Sequence, residues 1–370
     1  MEGEGSAKSA TFSDASTANH CLPGLRFFML IRPAAPTFHR PNSVQHSGSA
    51  TLDVCTMISN PVRYSSRYRL FEQFKAQNEG EHIRHWTVEL AYGNRPFAVT
   101  DSNNPRHLQL RTHSELWHKE NALNLLFAHV LRTHPEAEYF AWIDADVTFA
   151  RPDWAYETLQ QLQHYAVVQM FSHCLDLGPK YEPVGGIRNS FVWMYYNEPK
   201  PVQDKRWGAM RTADGSYGYA KGGYWHPGFA WAARRSALDQ LGCLLDFCIV
   251  GSADWHMAAC LIGEGEKTIS RQLHPSYKRE VLAWQDRATR NIRGNIGYVD
   301  GLLSHHWHGR KVDRHYTDRW RILVDNKFNP ETDLNRDTQG LYVLTDRSAS
   351  LRDGIRTYFR SRNEDSIDLV

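Results

Sequence analysis

The chain has 370 residues, 41% of them hydrophobic and 12% aromatic, which is long enough and apolar enough for one large core. Its formal net charge of +2 argues against a dedicated nucleic-acid-binding protein, because such proteins carry a strong basic excess. The six cysteines include no C-x-x-C pair, so we expect reduced thiols and a cytoplasmic location rather than a zinc site or a disulfide framework.

Composition divides the chain into three predicted parts. Residues 1–50 are rich in Ser, Ala, Thr, Pro and Gly without apolar periodicity, which predicts a disordered or low-complexity tail. The apolar run at 27–31 is too short to span a membrane, so no integral membrane segment is expected. A single domain over 51–337 and a helical C-terminal extension over 338–370 complete the predicted organisation.

The first elements alternate between strands and a helix. Residues 52–58 and 86–90 are predicted strands, with Glu89 near the end of the second. The first strand ends in a Ser-Asn-Pro turn that leads into a polar loop carrying Arg63. Such a loop fits the start of a nucleotide pocket and an ordinary surface loop equally well.

A long amphipathic helix is predicted over 114–134. Its leucines, phenylalanine and valine fall on one face, and Ser114 is a plausible N-cap. Lys119 lies in the early turns, where a helix N-terminus and a cation can meet a phosphate. Without further context a solvated surface is the commoner role for such a lysine.

The segment EYFAWIDADVTFA at 138–150 is predicted to be the central strand and its carboxyl end. Its apolar run ends at Asp144 and Asp146, which would point to one side because residues two apart on a strand do so. Ligands bind at the carboxyl ends of strands in open α/β sheets, and two carboxylates suit Mg²⁺ or Mn²⁺. The alternative is a solvated turn with two acidic residues.

The next elements extend the same pattern. A helix over 153–165 and a buried strand over 166–171 continue the alternation, which predicts helices packed on a largely parallel sheet. From 178 to 224 periodicity fades and Gly, Pro, Tyr and Trp dominate, which predicts a long functional loop.

The core is predicted to resume at residue 226. A strand and a helix follow as far as Gly242, a C′ residue. Ser252 as N-cap would then place Asp254 in the first turn of the next helix, with its carboxylate at the exposed helix start.

The segment HHWHGRK at 305–311 concentrates groups that bind metals and anions. His305, His306 and His308 stand within four residues, and histidine is the commonest metal-binding side chain, so this density predicts a ligand. Arg310 and Lys311 add cations suited to a diphosphate. A polar, partly exposed loop is the alternative.

Together these motifs resemble the nucleotide-sugar glycosyltransferases of the GT-A fold. They are a strand followed by D-A-D, then G-F-A-W with a helix, then G-S-A-D-W-H and a late H-H-W-H-G. The nearest pattern is the β-1,4-galactosyltransferase-like arrangement, and 51–337 is also similar to an uncharacterised glycosyltransferase-like group of phages and bacteria. The resemblance implies a GT-A (Rossmann-like) α/β fold, Mn²⁺ or Mg²⁺, and a nucleoside diphosphate sugar as donor.

The resemblance also assigns roles to residues. It implies that Asp144 and Asp146 hold the metal and the diphosphate, that His308 or His305 completes the metal site, and that Asp254 is the catalytic base. The family has an acid immediately before the base where this chain has Ala253, so the family's acceptor recognition does not carry over. The full set of predicted contacts to the sugar donor is Arg63, Glu89, Lys119, Asp144 and Lys311.

The implied reaction transfers a hexose to an acceptor hydroxyl, with inversion if Asp254 removes the hydroxyl proton. One alternative is a metal-dependent sugar-phosphate nucleotidyltransferase, but the loop after the first strand is poor in the glycine that such enzymes use. Another is a non-catalytic carbohydrate-binding protein that uses its 12 Trp and 17 Tyr as stacking platforms. The acceptor stays open among a glycan, a lipid-linked glycan, a protein and a modified nucleobase.

Overall fold

The computed structural model describes residues 50–198, 225–316, 318–347 and 349–369, together with the backbone of two short strands at 209–211 and 217–219. The predicted tail, apart from residue 50, and most of 199–224 in the predicted loop lie outside the described residues. No helix of the described residues is long and apolar enough to cross a membrane.

The described chain forms strands and helices in alternation. The strands are β1 (Leu52–Ser59), β2 (Ile83–Tyr92), β3 (His107–Thr112), β4 (Tyr139–Ile143), β5 (Val147–Phe149), β6 (Val167–Gln169), β7 (His173–Leu177), β8 (Pro183–Ser190), β9 (Ala209–Arg211), β10 (Tyr217–Tyr219), β11 (Trp225–His226), β12 (Ala230–Arg234), β13 (Ile296–Tyr298), β14 (Leu302–His305), β15 (Leu334–Arg336) and β16 (Tyr342–Leu344). The helices are α1 (Ser65–Gln77), α2 (Lys119–Thr133), α3 (Trp154–His164), α4 (Phe191–Asn197), α5 (Arg235–Leu241), α6 (Ala253–Leu261), α7 (Pro275–Arg287), α8 (Arg319–Asp325), α9 (Pro330–Asp333) and α10 (Ala349–Ser361).

A seven-stranded sheet organises the fold in the order β13-β6-β12-β4-β1-β2-β3. The pairs β1–β2, β1–β4, β2–β3 and β6–β13 are parallel, and only β12 runs antiparallel to its neighbours β4 and β6. The predicted α/β class, with a largely parallel central sheet flanked by helices, is confirmed.

Strand β4 shows why this sheet is the middle layer. Phe140 and Trp142 pack into one apolar cluster together with α2, while Ala141 and Ile143 pack into a second cluster together with α3. Alternate residues of a strand face opposite sides of the sheet, so both faces of β4 are covered. The near-continuous apolar run in the sequence is the signature of such a strand.

A second, five-stranded sheet has the order β11-β8-β7-β14-β5. The sequence predicted a loop from residue 178, and this was wrong for β8 and α4. The segment that forms β8, PVGGIRNS, contains two glycines and is exposed over much of its length, so it shows no apolar alternation. Strand β3 was also not predicted.

Two helix starts differ from the sequence prediction. Helix α2 begins at Lys119 and not near Ser114, because the Trp117 N–H donates to the Ile249 carbonyl at 2.9 Å and holds the preceding segment extended. Ser252 precedes α6 as predicted, but its φ is 78° and its side chain makes no cap hydrogen bond. The first difference puts Lys119 at the very start of α2.

The C-terminal segment packs back onto α1. The Asp365 carboxylate accepts the backbone N–H groups of Ser65 and Ser66 at 2.8 and 2.7 Å. Glu364 is 1% exposed and accepts hydrogen bonds from the guanidinium groups of Arg67 and Arg362 at 2.5–2.7 Å. Burial raises the pKa of Glu364, but the two arginines outweigh it and hold that pKa well below its usual value.

We therefore expect Glu364→Gln to lower the free energy of unfolding by about 3 kcal/mol, because it leaves two largely buried guanidinium groups without their counter-ion. Urea unfolding of wild type and variant measures this difference. Asp353→Asn is the control, since Asp353 is paired with Arg352 at the surface, and a change under about 0.5 kcal/mol is expected there. Equal effects of the two substitutions would contradict the structural role of Glu364.

Candidate functional site

A cavity of about 680 Å³ opens at the carboxyl ends of β1 and β4. Its wall includes residues of both sheets, the start of α6, and the C-terminal segment. This is the edge at which open α/β sheets bind ligands, as the sequence predicted.

Asp146, His305 and His308 converge in this cavity. Asp146 Oδ2 lies 2.9 Å from His308 Nε2 and 3.8 Å from His305 Nε2, and the two Nε2 atoms are 3.2 Å apart. His305 ends β14 and pairs in register with Val147 of β5, which brings it beside Asp146. No other cluster of this kind was found among the described residues. We call these three residues the metal triad.

A second layer orients His305. Its Nδ1 lies 2.9 Å from Asp176 Oδ1, while Nε2 faces Asp146 and His308. A hydrogen bond donated by Nδ1–H to Asp176 would leave Nε2 free to bind a metal. Asp176 is also paired with Arg188 at 2.7 Å and with Lys311. Burial raises the pKa of Asp176, but His305, Arg188 and Lys311 outweigh it and hold that pKa below its usual value. A carboxylate behind a histidine is the usual second layer of a metal site.

The triad fits a divalent cation. Asp146 Oδ1 is buried and has no hydrogen-bond partner among the described residues. Burial raises the pKa of Asp146, yet His305 and His308 outweigh it and hold that pKa well below its usual value, so the group is an anion. Burial lowers the pKa of His308 to about 4, so its ring is neutral at pH 7 and can act as a ligand. One carboxylate and two imidazoles suit Mn²⁺ among other first-row metals.

His306 faces a different direction from its neighbours. Its Nε2 lies 2.7 Å from Thr148 Oγ1, and its ring packs edge-on against Tyr181. Sequence alone left the choice among the three histidines open, and in the structure the rings of His305 and His308 face the Asp146 carboxylate, whereas His306 contacts Asp146 through its backbone N–H.

Asp144 has a different partner from Asp146. The predicted strand alternation does not apply, because β4 ends at Ile143 and residues 144–146 form a turn. The Asp144 carboxylate pairs with Lys119 at the start of α2, and its backbone N–H donates to the Phe229 carbonyl at 2.8 Å. Burial raises the pKa of Asp144 although Lys119 acts against it. Asp144 lines the same cavity as the triad but is not part of it.

Asp254 approaches the cavity from the first turn of α6. One carboxylate oxygen, Oδ1, accepts the backbone N–H of Trp255 at 2.9 Å. The other, Oδ2, packs against the Cα of Gly228 so closely that a Cβ there would overlap it. Gly228 therefore sets where this carboxylate lies.

The turn around Gly228 also contacts the triad. Phe229 has a left-handed φ of 74°, and its ring stacks between His226, at 3.6 Å, and His305, at 4.7 Å. A positive φ at a bulky residue is costly and is found mainly where surrounding contacts enforce it. One turn thus positions both Asp254 and a triad histidine.

Two of the predicted sugar-donor contacts do not lie at the cavity. Arg63 is exposed, with a φ of 69°, and does not line the wall. The Glu89 carboxylate is buried and accepts the backbone N–H groups of residues 98, 99 and 100 at 2.5–3.0 Å, so it holds that loop. We correct both assignments, because neither side chain is placed to contact a ligand in the cavity.

Several cavity residues were missed from the sequence. Asp176 and Arg188 lie on β7 and β8, which were not predicted, while Arg362 comes from the C-terminal segment, so no local pattern marked them. Glu120 was missed because the predicted start of α2 placed it inside the helix. It is 4% exposed and lines the cavity, and burial raises its pKa to about 8.

No family model and no curated protein match the sequence. Among solved structures, a protein of Desulfovibrio desulfuricans G20 assigned as a nucleotide-diphospho-sugar transferase is 11% identical, with a TM-score of 0.29, covering 84% of this chain and 98% of its own. A 4-diphosphocytidyl-2C-methyl-D-erythritol synthase of Anaerococcus prevotii is 8% identical, with a TM-score of 0.31, over 68% of this chain and 88% of its own.

The third structure is a mutant Drosophila β-1,4-galactosyltransferase 7 in complex with manganese, UDP-Gal and xylobiose. It is 11% identical, with a TM-score of 0.37, and the match covers 83% of this chain and 99% of that one. At such identities and TM-scores these likenesses carry no functional argument.

The buried Glu120 predicts a pH-dependent contribution to stability. Its folded pKa of about 8 exceeds the usual value. At any pH between these two pKa values, Glu120 is neutral in the folded protein and ionised in the unfolded chain. Stability is therefore lost as pH rises toward 8, and Glu120→Gln removes that loss. From about pH 5 to pH 8 the variant should gain up to about 4 kcal/mol on wild type in urea unfolding. A difference that does not change with pH would contradict this prediction.

Proposed function

We propose that the protein is a metal-dependent glycosyltransferase of the GT-A type. In this proposal it moves a hexose from a nucleoside diphosphate sugar to an acceptor hydroxyl. The observation that carries the proposal is the metal triad, with its unpartnered buried Asp146 oxygen, in the same cavity as Asp254. The acceptor is a glycan, a lipid-linked glycan, a protein or a modified nucleobase.

The triad residues would bind the diphosphate end of the sugar donor through the metal. A divalent cation held there would neutralise charge on the departing diphosphate. Lys119, Asp144 and Lys311 line the same cavity, and we retain them as contacts to the sugar donor. Lys311 is paired with Asp176, which fixes it beside His305.

Asp254 is the proposed general base. It would accept the proton of the attacking hydroxyl while that oxygen approaches the anomeric carbon from the face opposite the diphosphate, which gives inversion. Its position at a helix start, apart from the metal triad, supports a role toward the acceptor. The overlap that any side chain at Gly228 would create supports a tightly fixed carboxylate.

The nucleotidyltransferase alternative finds less support in the loop after β1. In that loop Asn60 Oδ1 accepts the backbone N–H of Tyr64 at 2.9 Å, and Asn60 Nδ2 donates to the Tyr64 carbonyl at 2.7 Å. The Arg63 side chain is exposed. The loop between β1 and α1 contains no glycine to let backbone N–H groups cradle a triphosphate.

The metal role predicts the behaviour of single substitutions. His308→Ala and Asp146→Asn should weaken Mn²⁺-dependent binding of nucleotide sugars by roughly 10–100-fold, because each removes a ligand. Calorimetric titration with Mn²⁺ and a panel of UDP-, GDP- and CDP-sugars measures this. His306→Ala is the matched control and should bind as wild type, because that ring faces Thr148. Loss in all three variants, or in none, would overturn the metal assignment.

The base role predicts a loss of turnover without a loss of binding. Asp254→Asn should slow transfer of the sugar from the bound donor to an acceptor by ~10²–10⁴-fold, the usual effect of losing a general base. The affinity for the sugar donor should stay near that of the wild type. Gly228→Ala, which displaces that carboxylate, should slow turnover by roughly 10–100-fold.

The matched control is Gly186→Ala, since a Cβ at Gly186 would meet nothing within 4 Å. It should leave turnover unchanged. Donor affinity that falls with Asp254→Asn while turnover of the bound donor persists would show that Asp254 serves the sugar donor and not the acceptor.

A further inference from the structure

Four arginines form one wall of the cavity, and we call them the arginine cluster: Arg67, Arg314, Arg319 and Arg362. Three of them are nearly inaccessible, with exposures of 4% for Arg314, 7% for Arg319 and 3% for Arg362. The side chain of Arg67 is 23% exposed. Burying so many cations together is costly unless anions accompany them.

Two of the four arginines are paired with a carboxylate of the protein. Glu364 pairs with Arg67 and with Arg362, each at 2.5 Å. The other cations of the cavity wall also have carboxylate partners: Lys119 pairs with Asp144, Lys267 with Glu264, and Arg188 and Lys311 with Asp176.

Arg314 and Arg319 have no carboxylate within ion-pair distance among the described residues. Arg314 donates to Tyr316 Oη at 3.1 Å. Arg319 donates to Tyr358 Oη at 3.2 Å and to Ser252 Oγ. The Nε atoms of both are buried without an acceptor in the described chain. A guanidinium has five N–H donors, so both side chains keep donors for a ligand.

Both arginines contact Tyr316, and Arg319 also contacts the residue before α6. The positive charge of Arg314 acts to lower the pKa of His305 and of His308, which places Arg314 near the triad. The Arg319 guanidinium stacks over the Tyr316 ring at 5.2 Å and bonds Ser252, the residue before α6. Asp254 is in the first turn of that helix, whose N-terminus adds a positive end.

We propose that Arg314 and Arg319 bind an anionic group of the acceptor, a phosphate or a carboxylate, beside the hydroxyl that reacts. The proposal rests on the proposed function, because it uses Asp254 to mark the acceptor side. A divalent metal held by the triad would already offer two positive charges to the diphosphate of the sugar donor, whereas these arginines have no assigned anion. Guanidinium groups match phosphate and carboxylate oxygens in a fixed fork. The acceptor class is therefore an anionic glycan or a phosphate-bearing glycan carrier.

The test uses inorganic phosphate as the probe and calorimetry as the readout. Phosphate should bind the metal-free full-length protein, and should still bind when Mg²⁺ and UDP or GDP, whichever the protein takes, occupy the donor site. Arg314→Gln and Arg319→Gln should each weaken phosphate binding by roughly tenfold, the effect of losing one charge-assisted contact. Arg321→Gln is the matched control on the same helix, because that side chain is 79% exposed, and it should bind as wild type.

Arg319→Lys keeps the charge and loses the fork, so its phosphate affinity should lie between those of wild type and Arg319→Gln. Thermal unfolding without phosphate shows whether each variant is folded, and Arg314→Gln carries the test if Arg319→Gln is not. Phosphate that competes with UDP or GDP would assign the cluster to the diphosphate of the sugar donor and overturn the proposal. The proposal is also overturned if His308→Ala abolishes phosphate binding, or if Arg314→Gln binds phosphate as tightly as the wild type.

These outcomes are distinct from failure of the proposed function. If no nucleoside diphosphate binds with metal while phosphate still binds through Arg314 and Arg319, the anion site stands and the glycosyltransferase assignment falls. If nucleotide binding is metal-dependent and phosphate does not bind, the assignment stands and the anionic acceptor falls.

Discussion

The carboxylate of Asp146, with its buried Oδ1, is the group on which the rest of the site depends. One of its oxygens faces two imidazole nitrogens, and the other has no partner in the described structure. A buried anion without full hydrogen bonding is costly, so the surrounding structure must supply a compensating charge. His305 and His308 hold the pKa of Asp146 well below its usual value from the side of Oδ2, and a divalent cation bound by the triad would add a positive charge.

The fold is arranged so that distant segments reach this carboxylate. The antiparallel pairing of β5 with β14 brings His305 to Asp146, and Asp176 on β7 holds the far side of the imidazole. The turn at Gly228 carries Phe229 against His305 and packs on Asp254. The C-terminal segment adds Arg362 to the wall, and Glu364 pairs with that arginine from behind.

The sequence predicted what depends on local patterns. The apolar run of β4 and its terminal acids, the density of histidines near residue 305 and the α/β alternation each leave a periodic or compositional signal. Strand β8 of the second sheet left none, because it contains two glycines and is half exposed. Glu89 shows the opposite failure, since an acid at a strand end looks the same in sequence whether it binds a ligand or holds a loop. The pairing of Glu364 with Arg67 joins residues 297 apart, and no single-sequence pattern reports such a contact.

Pulsed electron paramagnetic resonance of the Mn²⁺-loaded protein tests the central claim most directly, because it detects the nuclei bound to the metal. Wild-type protein should show one bound Mn²⁺ with nitrogen couplings from two imidazoles, and histidine labelled with ¹⁵N should shift those couplings. His305→Ala and His308→Ala should each leave a single coupled imidazole, since Asp146 and the other histidine remain. A bound Mn²⁺ with oxygen ligands alone, or couplings that persist in full in both variants, would contradict the metal triad.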